Sequence, residues 1–262
     1  MRRRRAGHGD AGRASALSRS LLLVAGLGQG SWAWRDVVPL LASDHDVVTY
    51  DNLGTGLLND RPARRSIGEL AEDALSQAEG PTDVVGLSMG GYVALTLALE
   101  RPEFVRSLVL AGTGAGGPDR VRRPAHVAAA FTVGLRSPYD EFARKTMPYT
   151  FSDGWTEANP ERFEEILAAR MERPSPYATI EAHADACYAF YAAGCEVERI
   201  EAPALVVHGS EDWIVPEENG RMLAGRLPNA EYVELAGRGH NLPLEDPETF
   251  AATVRGFLER VR

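Results

Sequence analysis

Short runs of β-branched and leucine-rich residues recur along the chain, separated by longer stretches whose apolar positions repeat with helical spacing. The runs are Leu21–Ala25, Asp46–Tyr50, Thr82–Gly86, Ser107–Ala111, Ala204–His208 and Ala230–Leu235. Runs that stay apolar at successive positions, instead of alternating, are buried on both faces, which is the habit of a parallel sheet. Helical patterns lie between them at Ile67–Glu79, Gly90–Arg101, Pro216–Leu227 and Pro247–Val261. Strands alternating with helices predict an α/β fold with a mostly parallel, doubly wound sheet.

The alternation stops between about Gly116 and Glu201, where prolines, aromatics and helical pieces replace strand signals. Asn159 reads as the N-cap of a helix with Pro160 at its first position, running to about Met171, and Ser175-Pro176 opens another through Tyr191. So long an insert without strands is no simple connection and predicts a helical cap. The expected division is a core of residues 21–115 and 201–262, a cap of residues 116–200, and a disordered or atypical N-terminal segment, residues 1–20.

Length adds that one large domain suffices, since 262 residues that are 44% hydrophobic bury most of their apolar surface in a single core. A net charge of −9 argues against a nucleic-acid partner. The basic run Arg2 to Arg5 is terminal and reads as a disordered tail or an upstream start. Arginines followed by Leu21-Leu22-Leu23-Val24-Ala25 resemble a signal peptide, but the polar stretch Gly7 to Ser20 separates the two, and the apolar run makes better sense as a buried strand. No segment approaches the roughly eighteen apolar residues of a membrane span. Only Cys187 and Cys195 occur, which suggests neither a disulfide framework nor a metal site and fits a reducing, cytoplasmic setting.

The candidate chemistry begins at Thr82-Asp83-Val84-Val85-Gly86-Leu87-Ser88-Met89-Gly90-Gly91, a strand, a sharp turn and a helix with G-x-S-x-G at the turn. Such an elbow holds its serine in a strained backbone conformation, so small residues must flank it to avoid the neighbouring strand and helix. Ser88 would then stand at a helix N-terminus, where free N–H groups and the dipole favour developing negative charge. The plainer reading is a glycine-rich turn with an exposed serine.

At these residues the sequence resembles the α/β-hydrolase family, over about Leu21 to Val261, and in overall pattern the small-ester and 3-oxoadipate enol-lactonase-like hydrolases. Val206-Val207-His208-Gly209-Ser210-Glu211-Asp212-Trp213-Ile214-Val215-Pro216 is similar to the family's strand-then-acid segment, and Gly237-Arg238-Gly239-His240 to its histidine loop. The resemblance implies a helical cap inserted before the fold's seventh strand, Ser88 as nucleophile, His240 as general base and Asp212 as the acid that orients it. Glu211 is the neighbouring alternative acid. Taken singly, Asp212 reads as a cap for a helix starting near Pro216, and His240 as a solvated loop histidine. The resemblance also implies two backbone donors for an oxyanion, Met89 after the nucleophile and Leu27 in Ala25-Gly26-Leu27-Gly28-Gln29-Gly30.

Three departures stand out. Ala25 occupies a position where relatives have a histidine that braces the loop, Leu53 occupies the arginine position of a D-x-R-G-x-G turn, and Met1 to Ser20 shows no alternation for the family's opening hairpin. A dinucleotide-binding reading of Gly26, Gly28 and Gly30, with Asp46 or Asp51 on the ribose, fails at Ser31, where glycine or alanine is required.

The expected activity is hydrolysis of a carboxylic ester or lactone through an acyl-enzyme, with no metal and no organic cofactor. A non-hydrolytic member of the fold (acyltransferase, cyclase, lyase, perhydrolase or receptor) is the rival reading. Gly26, Trp155, Tyr188 and Trp213 are the expected substrate contacts. Of the cap residues Phe131, Met147, Tyr149, Phe151, Trp155, Tyr188, Phe190 and Tyr191, about half are expected to line a pocket and the rest to pack the cap. The expected partner is a small acyl ester or lactone bound by a monomer or homodimer, without nucleic acid or membrane.

Overall fold

A computed structural model describes residues 4–5, 19–134 and 137–262. Among the described residues, seven strands form one sheet: β1 (Arg4–Arg5), β2 (Arg19–Val24), β3 (His45–Thr49), β4 (Thr82–Leu87), β5 (Val105–Ala111), β6 (Ala204–Gly209) and β7 (Ala230–Leu235). They lie in the order β1-β3-β2-β4-β5-β6-β7. All neighbours are parallel except β1, which pairs antiparallel with β3 through Arg4 opposite Thr49 and Arg5 opposite Val48. The helices are α1 (Val38–Leu41), α2 (Ile67–Leu75), α3 (Met89–Glu100), α4 (Ala125–Gly134), α5 (Tyr139–Thr146), α6 (Trp155–Ala158), α7 (Pro160–Glu172), α8 (Tyr177–Ala193), α9 (Glu218–Arg226), α10 (Leu242–Glu245) and α11 (Pro247–Arg260).

Successive strand residues point to opposite faces, and both faces are covered. Leu22, Val24, Val48, Val84, Leu108 and Val206 pack into one core with residues of α2, α3 and α9. Leu21, Leu23, Val47, Val85, Val109 and Val207 pack into a second core with Trp34 and residues of α1 and α11. This is why the strands read as continuous apolar runs.

Two sequence expectations need correction at the N-terminal edge. β2 starts at Arg19, not at Leu21, because the Arg19 guanidinium reaches the buried Asp83 carboxylate of β4 at 3.1 Å, where Arg106 and Ser107 also bond it. A short antiparallel edge strand is present at Arg4–Arg5, where the sequence shows no alternation. The expected disordered or atypical segment otherwise falls on residues 1–3 and 6–18, outside the described residues.

Between β5 and β6 the chain forms α4 to α8 and, among the described residues, no strand. Helices α7 and α8 start where Pro160 and Ser175-Pro176 predict, but Asn159 does not cap α7 with its side chain. Its Nδ2 donates backwards to the Trp155 carbonyl at 2.9 Å instead.

The turn from β4 into α3 leaves no room beside its glycines. A Cβ on Gly86 would stand 2.3 Å from the Gly90 carbonyl oxygen, and one on Gly90 would stand 2.0 Å from that of Val24. Backbone cannot yield as a side-chain tip can, so Gly90→Ala is expected to cost about 3 kcal/mol. That is a fall of roughly 6–12 °C in Tm for a chain of this size. Gly225→Ala, with open space at its Cβ, is the control and should leave the thermal melt near wild type.

Candidate active site

Ser88 follows β4 with φ 56° and ψ −117°, and among the described residues it is the one non-glycine residue with positive φ. Three bonds hold this conformation. Its N–H donates to Ala111 O at 2.8 Å, and its carbonyl accepts from Gly91 N at 2.8 Å and from the Thr113 hydroxyl at 2.9 Å. Strain of this kind persists only where the surroundings over-determine it. The turn lifts Ser88 above the carboxyl ends of the strands, at the first turn of α3.

Asp212 lies in the loop after β6, fully out of water at its side chain. One carboxylate oxygen, Oδ1, accepts the backbone N–H groups of Ile214 and Val215, each at 2.8 Å. The other, Oδ2, is 2.7 Å from His240 Nδ1 and 3.2 Å from His208 Nε2. Burial pushes the Asp212 carboxyl up. The charge of a protonated His240 and the hydrogen bonds from both imidazoles outweigh burial and hold it well below the ordinary carboxylate range. Glu211, the alternative acid, points away and accepts the Asp153 N–H of the cap at 3.0 Å.

The histidine loop after β7 is tied down on both sides of His240. Gly239 N donates to Glu245 at 2.9 Å, and Glu245 also accepts the Ser152 hydroxyl at 2.5 Å. Asn241 N donates to Thr150 O at 2.8 Å. Ser88 and His240 line the same cavity without a hydrogen bond between them. Such bonds are commonly loose before substrate binds and tighten in the complex.

The loop after β2 supplies a distinctive amide pattern. Gly26 N donates to Gln29 Oε1 at 3.2 Å, Gly28 N to His183 Nδ1 at 3.2 Å, and Gln29 N to Gly26 O at 3.1 Å. The Leu27 N–H between them has no acceptor among the described residues, and Leu27 lines the cavity with Ser88. Met89, at the first position of α3, has no carbonyl four residues earlier within its helix to bond. Two free backbone donors therefore flank the serine.

The cavity, about 350 Å³, is roofed by the cap. Gly26, Leu27, Phe131, Ile180, Tyr188 and Tyr191 contribute to its wall, with Arg123 and Glu181 among the charged groups. Trp155 and Trp213, two of the expected substrate contacts, are not among the residues that line this cavity. Trp155 stacks on Phe151, centroids 4.3 Å apart and planes 7° apart, against an apolar cluster that joins α5 and α7 to Leu244 of α10. Trp213 packs against Val127, Ile214 and Val215, and its Nε1 donates to Asp153 at 3.0 Å. Met147 also packs within the cap, and Phe190 stacks on Tyr92. The aromatic tally cannot separate lining from packing because the helices between β5 and β6 also pack apolar side chains against the body. Cys187 lines the cavity as a free thiol, pushed up to about 12 by burial, and Cys195 is also unpaired.

A model of the alpha/beta hydrolase family's sequences matches residues 21–253. The chain belongs to the alpha/beta hydrolase family. It is 31% identical over 247 residues to RutD of Pseudomonas savastanoi pv. phaseolicola, named as a carbamate hydrolase, covering 91% of this chain and 93% of that protein. It is 30% identical over 260 residues to a 2-hydroxy-6-oxononadienedioate/2-hydroxy-6-oxononatrienedioate hydrolase of Burkholderia vietnamiensis, covering 93% and 88%. The fold matches the enol-lactonase from Burkholderia xenovorans LB400 with a TM-score of 0.79 at 24% identity, covering 98% of this chain and 96% of that one.

This alpha/beta hydrolase contains polar partners that sequence reasoning missed. His208 was read as strand, and its place at the end of β6, four residues before Asp212, was the available signal. Gln29 and Asn241 bond each other at 3.1 Å and join the loop after β2 to the histidine loop, and Asn241 Nδ2 donates onward to the Thr150 hydroxyl at 2.7 Å. His183, fully buried on α8, stands among alanines that gave no signal at all. Asp51, offered by the dinucleotide reading as a ribose ligand, instead accepts the N–H groups of Ser31 at 2.6 Å and Leu57 at 2.9 Å.

Burial lowers the His183 pKa from 6.5 to about 4. The unfolded chain takes up a proton near the ordinary value and the folded chain resists it, so the stability of the neutral ring is full above that value and is lost as pH falls through about 4. The loss is about 3 kcal/mol at one pKa unit per 1.4 kcal/mol. Urea midpoints between pH 7 and 4 are expected to fall more steeply for wild type than for His183→Asn.

Proposed function

We propose that this chain hydrolyses a carboxylic ester or lactone through an acyl-enzyme on Ser88. The observation that carries the reading is the meeting, at one cavity, of a strained elbow serine and a histidine whose far nitrogen bonds a buried carboxylate. A serine hydroxyl is nearly inert at neutral pH, and an imidazole can take its proton as it attacks.

In this reading His240 Nε2 accepts the Ser88 proton while Oγ bonds the acyl carbon. Asp212 keeps the Nδ1 hydrogen on the other side of the ring and stabilises the imidazolium. Charge that gathers on the former carbonyl oxygen is met by the Leu27 and Met89 N–H groups. As the tetrahedral centre collapses, the C–O bond to the leaving group breaks and His240 returns the proton to the departing alkoxide. Water then attacks the acyl-enzyme with His240 again as base, releasing the carboxylic acid and restoring the serine.

The largely apolar wall suits an organic acyl group of moderate size. A second reading, a carbamate, is favoured by the identity to RutD. It uses the same machinery, since the attacked atom is again an acyl carbon. A panel of short-chain esters, lactones, thioesters and carbamates, with Ser88→Ala as the blank, separates these substrates. A fluorophosphonate probe is expected to label wild type and not Ser88→Ala. Unlabelled wild type with no turnover on the panel would leave a binding protein on this fold.

A further inference from the structure

Ala25, at the start of the loop bearing Leu27, carries no side chain able to reach across it. Beside the Gln29 bonds within the loop and to Asn241, two side chains between β5 and β6 hold it at Gly28. Both backbone polar groups of Gly28 are bonded: its N–H, on the Leu27–Gly28 peptide, donates to His183 Nδ1 at 3.2 Å, and its carbonyl, on the Gly28–Gln29 peptide, accepts the Ser175 hydroxyl at 2.9 Å. Ser175 precedes α8 and His183 lies within it, and both are buried. Gly28 has φ +65°, and a Cβ there would stand 2.3 Å from Ile180 Cδ1, so α8 sits directly against the loop backbone.

We propose that His183 is a positioning residue for the oxyanion hole: by accepting the Gly28 N–H, it orients the adjoining peptide so that the Leu27 N–H faces the cavity. The inference rests on the reading of the chain as a Ser88 hydrolase and assigns to the cap a part in the chemistry as well as in enclosing the substrate. Adjacent amides in a short turn are geometrically coupled, since each peptide plane is rigid. The Gly28 N–H lies on the Leu27–Gly28 peptide plane, which meets the plane carrying the Leu27 N–H at Leu27 Cα, so holding it restricts the Leu27 donor. Preorganised donors stabilise an oxyanion because they need no reorganisation as charge develops.

Two features favour a positioning role over simple packing. An imidazole accepting at Nδ1 must carry its hydrogen on Nε2, and that atom is buried without a partner among the described residues. A leucine would fill the space without that unpaired donor, so packing alone does not call for histidine. Burial also keeps the ring neutral, its pKa lowered to about 4, which leaves the Nδ1 lone pair available.

The test compares wild type, His183→Leu and His183→Asn. Leucine removes the acceptor at similar bulk, while the asparagine carbonyl can reach the position of Nδ1. Hydrogen exchange across residues 26–30, read by mass spectrometry, reports the grip without any substrate. Exchange is expected to accelerate in His183→Leu and to recover in His183→Asn. With the best ester from the panel, kcat should fall roughly tenfold or more in His183→Leu at a nearly constant KM, and His183→Asn should restore most of it. Tm of His183→Leu should stay within a few degrees, one unpaired buried donor being exchanged for another. Wild-type kcat in folded His183→Leu overturns the inference, as does His183→Asn behaving like the leucine variant. Should wild type turn over nothing on the panel while exchange still responds, the hydrolase reading has failed and the catalytic part of this inference falls with it. If wild type is active and exchange is unchanged, only the inference falls.

Discussion

Replacing Ser88 with alanine is expected to lower kcat for every acyl substrate of the chain by a factor on the order of 10⁵ or more. The size follows from what the hydroxyl does in the proposed route. Without Oγ no acyl-enzyme forms, His240 has no alcohol to deprotonate, and only direct attack by water near the Leu27 and Met89 amides remains. The fold should survive the change. The bonds that fix residue 88 use its backbone N–H and carbonyl, which alanine keeps. Alanine also keeps the unfavourable φ of 56°, so the Tm should stay near wild type, whereas Ser88→Gly would relieve that strain and raise it. Turnover of a p-nitrophenyl short-chain ester and a thermal melt on the same samples check both parts. A folded Ser88→Ala variant that retained a tenth of wild-type turnover would remove Ser88 from the nucleophile's position.

Much of this architecture was legible before any coordinates, for a physical reason. Strands buried on both faces leave long apolar runs, so the runs at Thr82–Gly86 and Ala204–His208 announce strands, which extend over Thr82–Leu87 and Ala204–Gly209. The elbow was legible because steric crowding at Gly86 and Gly90 restricts residue choice to glycine. Asp212 and His240 were legible through the family resemblance of their loops, each just past a strand. Arg19 was not, because a polar strand end looks like a tail until the buried Asp83 on the neighbouring strand is seen to answer it. His183, Gln29 and Asn241 were illegible for a deeper reason. Their partners lie far along the chain, and a hydrogen bond across the cap boundary imposes no spacing or periodicity on either segment. The same limit explains Trp155 and Trp213: an aromatic residue reads alike whether it faces a substrate or another ring.

Asp212→Asn is expected to lower kcat by roughly 10⁴. The bonding around the carboxylate says why the loss should be so large for a change of one atom. Oδ1 accepts two backbone N–H groups, Ile214 and Val215, at 2.8 Å each, and only an oxygen can satisfy both. In the variant the amide oxygen must therefore occupy that position, which turns the amide NH₂ toward His240 Nδ1, where Oδ2 stood at 2.7 Å. An NH₂ group donates, so Nδ1 must accept. The imidazole hydrogen is then forced onto Nε2, the atom that has to take the proton from Ser88, and the base is occupied before the reaction begins. His208 deepens the effect. Its Nε2 donates to Val215 O at 2.8 Å while lying 3.2 Å from Oδ2, so the new NH₂ would meet a second donor there. The variant should stay folded, and its slow turnover should recover as pH rises only if hydroxide replaces the missing base. Glu211→Gln is the matched control, since Glu211 bonds the Asp153 N–H and not His240, and it should turn over at close to the wild-type rate. Asp212→Asn retaining a tenth of wild-type kcat, or Glu211→Gln falling with it, would transfer the orienting role away from Asp212.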